Sequence, residues 1–123
     1  MQNKKPNIIL FMSDNQSADF IGCYGNGEVK TPNIDSMAEN GLKYTSAYCT
    51  NAMCSPCRAS VLTGLIPSAH GIHNWLDDNL EDKWPEKWNA IGEFDSLPNK
   101  LKKSGYLNAL IGKYHLGKAW KSP

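Results

Sequence analysis

Ile8-Ile9-Leu10-Phe11-Met12 puts five apolar side chains in unbroken succession, with Pro6 just before and Ser13-Asp14-Asn15 directly after. A run without polar alternation, and too short for a helix, is read as a strand buried on both faces. Such strands belong to parallel sheets covered by helices. It is also far short of the roughly 20 apolar residues that a membrane helix needs. The polar triplet falls where ligands sit in open α/β sheets, outside the carboxyl end of a strand.

The punctuation further along agrees with that class. In Thr31-Pro32-Asn33-Ile34-Asp35-Ser36-Met37-Ala38-Glu39-Asn40-Gly41, Thr31 can cap a helix and Pro32 fits its first position. Asp35 lies in the first turn, and Gly41 suits the stop. Ile34, Met37 and Ala38 make one apolar stripe. Residues 42–48 then alternate weakly and read as a second strand. The grammar returns from Ser96-Leu97-Pro98 to Lys103-Ser104-Gly105, a short helix with Leu97 and Leu101 on one side, followed by a third strand over 107–111. Helix followed by strand, twice over, predicts an α/β chain with mostly parallel strands and flanking helices.

Composition narrows the function. The chain has 123 residues, the size of one domain, with 41% hydrophobic and 20% charged residues, a globular and not a disordered balance. A formal charge of +1 lacks the basic footprint of a nucleic-acid binder, and no membrane partner is expected. No signal-peptide pattern follows the start, so reduced thiols are expected for the four cysteines and a cytoplasmic setting is favoured over a periplasmic one. Seven of the twelve acids lie in residues 74–95 together with Trp75, Trp84 and Trp88. That stretch reads as a surface excursion pinned by its tryptophans, with lining of a substrate cleft as the second reading. Six of the thirteen basic residues lie from Lys100 onward, a largely solvated face.

Three clusters could carry chemistry. Cys54-Ser55-Pro56-Cys57 is a C-x-x-C, which serves as a redox pair, as half of a zinc site, or as two unpaired structural cysteines. Zinc lacks a second ligand pair, because Cys23 and Cys49 stand 26 residues apart and His70 with His73 lies in a Gly- and Pro-flanked stretch. Lys113 and His115, in Gly112-Lys113-Tyr114-His115-Leu116-Gly117, would point to one side of a strand-like continuation. A cation beside an imidazole suits an oxyanion and proton transfer, or simply a surface lysine beside a satisfied histidine. Asp14 and Asn15 offer hard oxygens for Ca²⁺ or Mg²⁺, or a turn cap.

Taken together, the order and spacing of these segments resemble the N-terminal part of the sulfatase family, in the alkaline-phosphatase-like superfamily. The carriers are Asn7 to Asp14; Thr31-Pro32-Asn33-Ile34-Asp35 with Gly41 and Tyr44-Thr45-Ser46-Ala47-Tyr48; Cys54-Ser55-Pro56-Cys57-Arg58 with Leu62-Thr63-Gly64; and Gly105-Tyr106 with Gly112 to Gly117. The last block has Tyr114 where the family has Trp.

The resemblance implies that Cys54 is oxidised to Cα-formylglycine by a formylglycine-generating or radical maturation enzyme that reads Pro56 and Arg58. The aldehyde hydrate would attack sulfur with one hydroxyl and expel sulfate with the help of the other. Arg58 would hold the hydrate's charge, Lys113 would neutralise a sulfate oxygen, and His115 would contact and deprotonate the hydrate. Asp14, Asn15 and the modified Cys54 would ligate Ca²⁺, or alternatively Mg²⁺. Asn15 stands where many members carry a second Asp. Cys57 occupies the pattern's variable position. The expected substrate is a sulfated small molecule or carbohydrate.

Family members are several times longer, so residues 1–123 are expected to be an incomplete, N-terminal part of a catalytic domain, inactive alone. Rival readings are a phosphonate or phosphate ester hydrolase of the same superfamily and, from another class, a thiol-disulfide protein using Cys54 and Cys57. A phosphomutase-like relative is disfavoured, because it would use Ser or Thr as nucleophile.

Overall fold

A computed structural model describes residues 5–76, 83–85 and 87–118, and divides the chain into two units, Met1–Ala47 and Tyr48–Pro123. One domain was expected from the length. Each unit has its own contacts, as follows.

In the first unit the residues 31–41 punctuation yields helix α1, Pro32–Asn40, with Thr31 at the N-cap and Pro32 at the first turn. The cap works differently from the expectation. Thr31 makes no side-chain bond to its own helix. Its hydroxyl instead accepts from the Gly22 N–H at 2.8 Å and donates to Asp35 at 2.9 Å, while Asp35 accepts from the Cys23 N–H at 2.7 Å. The first turn of α1 is thus spent on holding a preceding pair of 3₁₀ turns, Ala18–Phe20 and Gly22–Tyr24. Gly41 ends α1 with extended backbone, φ −132°, and not in a left-handed stop. A glycine suits it because a Cβ there would lie 2.8 Å from the Met37 carbonyl oxygen.

The second unit carries helix α2, Cys54–Thr63; helix α3, Pro67–His70; and helix α4, Leu97–Lys103. Helix α2 stops at Gly64, whose φ of +73° lets its N–H return to the Ser60 carbonyl. Helix α4 begins after Ser96, as its Ser-Leu-Pro start predicts. Helix α3 was not foreseen, since four residues give no periodicity to read.

The core of this unit is Ala59, Ile72, Ile91 and Leu116, flanked by Leu62, Leu76, Ala90, Phe94 and Tyr114. Leu116 is fully buried, worth roughly 2–3 kcal/mol against exposure. The core therefore gathers α2, the turn after α3, the segment around residue 91 and the end of the Gly112–Gly117 block. No helix among the described residues is long and apolar enough to cross a membrane.

The expected strands do not appear. Residues 7–12, 42–48 and 107–111 form no ladder, and among the described residues the only β pairing is an isolated antiparallel bridge between Asn89 and Gly117. Phe11 remains 88% and Leu107 100% exposed. An apolar run sets a local preference, whereas a strand is completed by hydrogen bonds from a neighbour and by a covered face. Within residues 74–95, Trp84 and Trp88 pack on each other at 5.2 Å, and Trp75 meets His115 of a later segment at 5.8 Å. Residues 77–82 and 86 lie outside the described residues.

Candidate functional site

Cys54 is the first residue of α2. Its position is set from both sides. Before it, the Met53 N–H donates to the Asn51 side chain at 2.8 Å, and within the helix the Cys57 N–H returns to the Met53 carbonyl at 3.1 Å. Behind it, Ser55 is fully buried and its hydroxyl accepts from the Leu76 N–H at 3.1 Å. Pro56, also buried, has no N–H to satisfy at a helix start. The thiol is left half-buried at the positive end of the helix dipole.

One basic residue reaches it from 59 positions along the sequence, and a second holds that residue's backbone. Lys113 Nζ donates to Cys54 Sγ at 3.7 Å. Arg58, one turn along α2, donates from Nη1 to the Lys113 carbonyl at 2.7 Å. Arg58 therefore fixes the backbone that carries the lysine, and Lys113 carries the cation to the sulfur.

Lys113 and His115 do not share a face by strand alternation. Gly112 has φ +91° and His115 φ +57°, two left-handed residues that coil the segment. His115 is buried; its Nε2 donates to the Leu76 carbonyl at 2.6 Å, which puts a proton on that nitrogen. Its ring meets Trp75 edge to face at 5.8 Å. The block is pinned to residues 88–90: the Ala90 N–H donates to the Leu116 carbonyl at 2.7 Å, and the Tyr114 hydroxyl donates to Asn89 Oδ1 at 2.9 Å. Burial pushes the Tyr114 phenol up.

Cys57 faces Cys49, not Cys54, as its hydrogen-bonding thiol, and burial together with that bond pushes it up. His70 is buried behind α2: its Nδ1 accepts from the Ile72 N–H at 3.1 Å, so Nε2 carries the proton toward Ser60 Oγ at 3.0 Å. The pairing makes Ser60 an acceptor, which suits a structural lock and not an activated serine.

Asp14 and Asn15 belong to the first unit, and Asn15 adopts φ +56°, which an Asn side chain tolerates. They are hard oxygen donors of the kind a Ca²⁺ ion takes. Two are far from a shell of six to eight, and among the described residues no group of three or more His, Cys, Asp or Glu gathers around one point. Leu76, Ser55 and Asn89 were missed as supports of the site, and Trp75 was read first as an anchor and only second as cleft lining. Only proximity to the two motifs could have signalled them.

The family model described as Sulfatase matches residues 6–123. Among curated proteins, the chain is 38% identical over 116 residues to N-acetylgalactosamine-6-sulfatase of Rattus norvegicus, covering 91% of this chain and 22% of that protein. It is 37% identical over 113 residues to steryl-sulfatase of Homo sapiens, covering 92% of this chain and 19% of that protein. It is 35% identical over 115 residues to N-acetylglucosamine-6-O-sulfatase of Bacteroides thetaiotaomicron, covering 94% and 19%. The chain thus spans about a fifth of the length of the curated relatives it matches. No solved structure matches it.

Proposed function

This chain belongs to the sulfatase family, whose fold is alkaline-phosphatase-like α/β, and from that premise we propose that it carries the nucleophile and oxyanion-binding residues of a sulfuric ester hydrolase. The observation that supports this most directly is the convergence of Lys113 on Cys54, with Nζ 3.7 Å from Sγ. A side chain at the first position of α2, faced by an ammonium group, is suited to meet a negatively charged ester. Converted to Cα-formylglycine, residue 54 would supply as its hydrate two hydroxyls on one carbon: one to attack sulfur and displace the alcohol, the other to lose its proton, expel sulfate and restore the aldehyde.

The chain's own residues do the rest. Lys113 neutralises an oxygen of the ester, and the start of α2 adds its dipole to the same oxyanion. Arg58 is a positioning residue, since it holds the Lys113 backbone. His115 serves the same segment by holding it in place, its Nε2 donating to the Leu76 carbonyl. Asp14 and Asn15 are proposed as part of the oxygen set for a divalent cation, Ca²⁺ before Mg²⁺.

The test is co-expression with a formylglycine-generating enzyme, followed by intact mass and labelling with a hydrazide. The mass is expected to fall by the exchange of CH₂–SH for CHO at residue 54, with hydrazide labelling lost in Cys54→Ala and kept in Cys57→Ser. Equal loss in both variants, or a mass gain of two hydrogens on reduction in place of aldehyde, would return the chain to the thiol-disulfide reading. Comparison of aryl sulfate with aryl phosphate as ligands separates the sulfatase from the phosphate ester reading.

A further inference from the structure

Cys54 and Cys57 both lie in the first turn of α2, yet their side chains meet different partners. Cys54 faces the Lys113 ammonium, whereas Cys57 is in hydrogen-bond contact with the thiol of Cys49, in the same unit of the chain. Cys49 stands eight positions earlier, a span that reaches about 28 Å when extended. Two local features fold that distance away. The Asn51 side chain accepts from the Met53 N–H and turns the chain; the Met53 carbonyl then accepts from the Cys57 N–H and closes the first helical turn. Cys49 is exposed and Cys57 half-buried. Two thiols in hydrogen-bond contact need little more than a side-chain rotation to reach the S–S length of about 2.05 Å.

We infer that Cys49 and Cys57 are a disulfide-forming pair, a covalent clamp that ties the segment leading into Cys54 to the first turn of α2 and keeps Cys54 out of a bond with Cys57. The pairing rests on the contact and the turn that makes it. The purpose given to it rests on the sulfatase reading above, in which residue 54 must stay available for conversion to the aldehyde. A C-x-x-C at a helix start is a common disulfide spacing, so with no competitor Cys57 would capture Cys54 under oxidising conditions. Cys49 is that competitor. The oxidant is a small-molecule disulfide, such as oxidised glutathione. The Cys49 thiolate attacks one of its sulfurs and releases one glutathione thiolate. Cys57 then gives up its proton and attacks the Cys49 sulfur of the mixed disulfide, releasing the second. Two protein thiols lose two electrons to one small-molecule disulfide, which leaves as two glutathione thiols. The exposure of Cys49 and the burial of Cys57 assign the first step to Cys49.

The test treats the reduced, unconverted chain with oxidised glutathione and alkylates the thiols that remain. Cleavage after methionine then parts Cys49 from Cys54 and Cys57 at Met53, and mass spectrometry locates the alkyl labels. In the wild type the two fragments are expected to stay joined until reduction, with the label on Cys54. Cys54→Ala is expected to join them equally well. In Cys49→Ser they are expected to fall apart, and labelling of Cys54 to drop severalfold as Cys57 captures it. Wild-type fragments that separate with neither Cys54 nor Cys57 labelled show a 54–57 bond and overturn the pairing. Label on all three thiols, or joined fragments with the label on Cys57, overturns it as well. Unchanged labelling of Cys54 in Cys49→Ser removes the protective role. Hydrazide labelling after co-expression with the maturation enzyme reads residue 54 separately. A chain that forms the aldehyde without this disulfide keeps the sulfatase reading and loses the clamp; one that forms the disulfide but never the aldehyde keeps the pairing and loses its purpose.

Discussion

A single imidazole shows how much of this site depends on protonation state. His70 locks the turn after α3 to α2 by accepting the Ile72 N–H on Nδ1 and facing Ser60 with Nε2. Burial, and then the charge of His73, hold it below its ordinary value of 6.5. A base depressed in the folded state is bound by more protons when unfolded, so folding is weakened as protons are added. Its contribution is complete above pH 6.5 and is lost as the pH falls from there through the folded value. Thermal melts are expected to drop across that window, with the drop flattened in His70→Gln, which cannot titrate. An unchanged slope in the variant would show that another group governs the acid limb. Arg58 works at the same scale: only its guanidinium spans from α2 to the Lys113 carbonyl, so Arg58→Lys is not a conservative change.

At the scale of elements, two glycines separate local conformation from close approach. Gly64 ends α2 at φ +73° with nothing near its missing Cβ. Gly64→Ala is therefore expected to cost about 1–2 kcal/mol, the left-handed penalty alone. Gly117 is the opposite case, because a Cβ there would stand 2.7 Å from the Trp88 carbonyl oxygen. Gly117→Ala is expected to break the bridge to Asn89 and loosen the segment that carries Lys113 and His115. Denaturant melts and the ¹⁵N signal of the Lys113 amide distinguish the two: a lower midpoint with Lys113 unmoved for Gly64→Ala, and both changed for Gly117→Ala. A Gly117→Ala spectrum with Lys113 in place would remove the bridge from the account of the site.

The chain as a whole leaves apolar segments uncovered. Ile9 is 87% and Ile111 94% exposed, and Phe11 and Leu107 are exposed to a similar degree. Surfaces of this kind associate. Sedimentation is expected to show self-association rising with concentration and weakened by Leu107→Lys, with melting unchanged within about 0.5 kcal/mol, since that side chain buries nothing here. Leu107→Lys that lowers the melting point instead would show this segment to be packed. Activity is argued from the same inventory. Around residue 54 the described residues gather a lysine and, through it, an arginine. None of the roles proposed above for these residues is protonation of the leaving alcohol. General acid catalysis and charge stabilisation are each worth orders of magnitude. The formylglycine-bearing chain in excess Ca²⁺ is therefore expected to hydrolyse an aryl sulfate at a rate far below that of the longer relatives. Comparable turnover would show that these residues make a complete site.

What was legible in the sequence is what is encoded locally. The α1 and α4 boundaries follow from short-range punctuation, whereas Cys54, Arg58 and Lys113 were grouped by the resemblance to the sulfatase family. Resemblance joined residues 54 and 113; only the tertiary structure supplied the 3.7 Å contact, the turning of Thr31 away from its own helix, and the tautomer that Leu76 imposes on His115. The apolar runs mark the complementary limit. Their composition sets a preference for strands. Pairing requires a neighbour's hydrogen bonds, and those no stretch of sequence carries within itself.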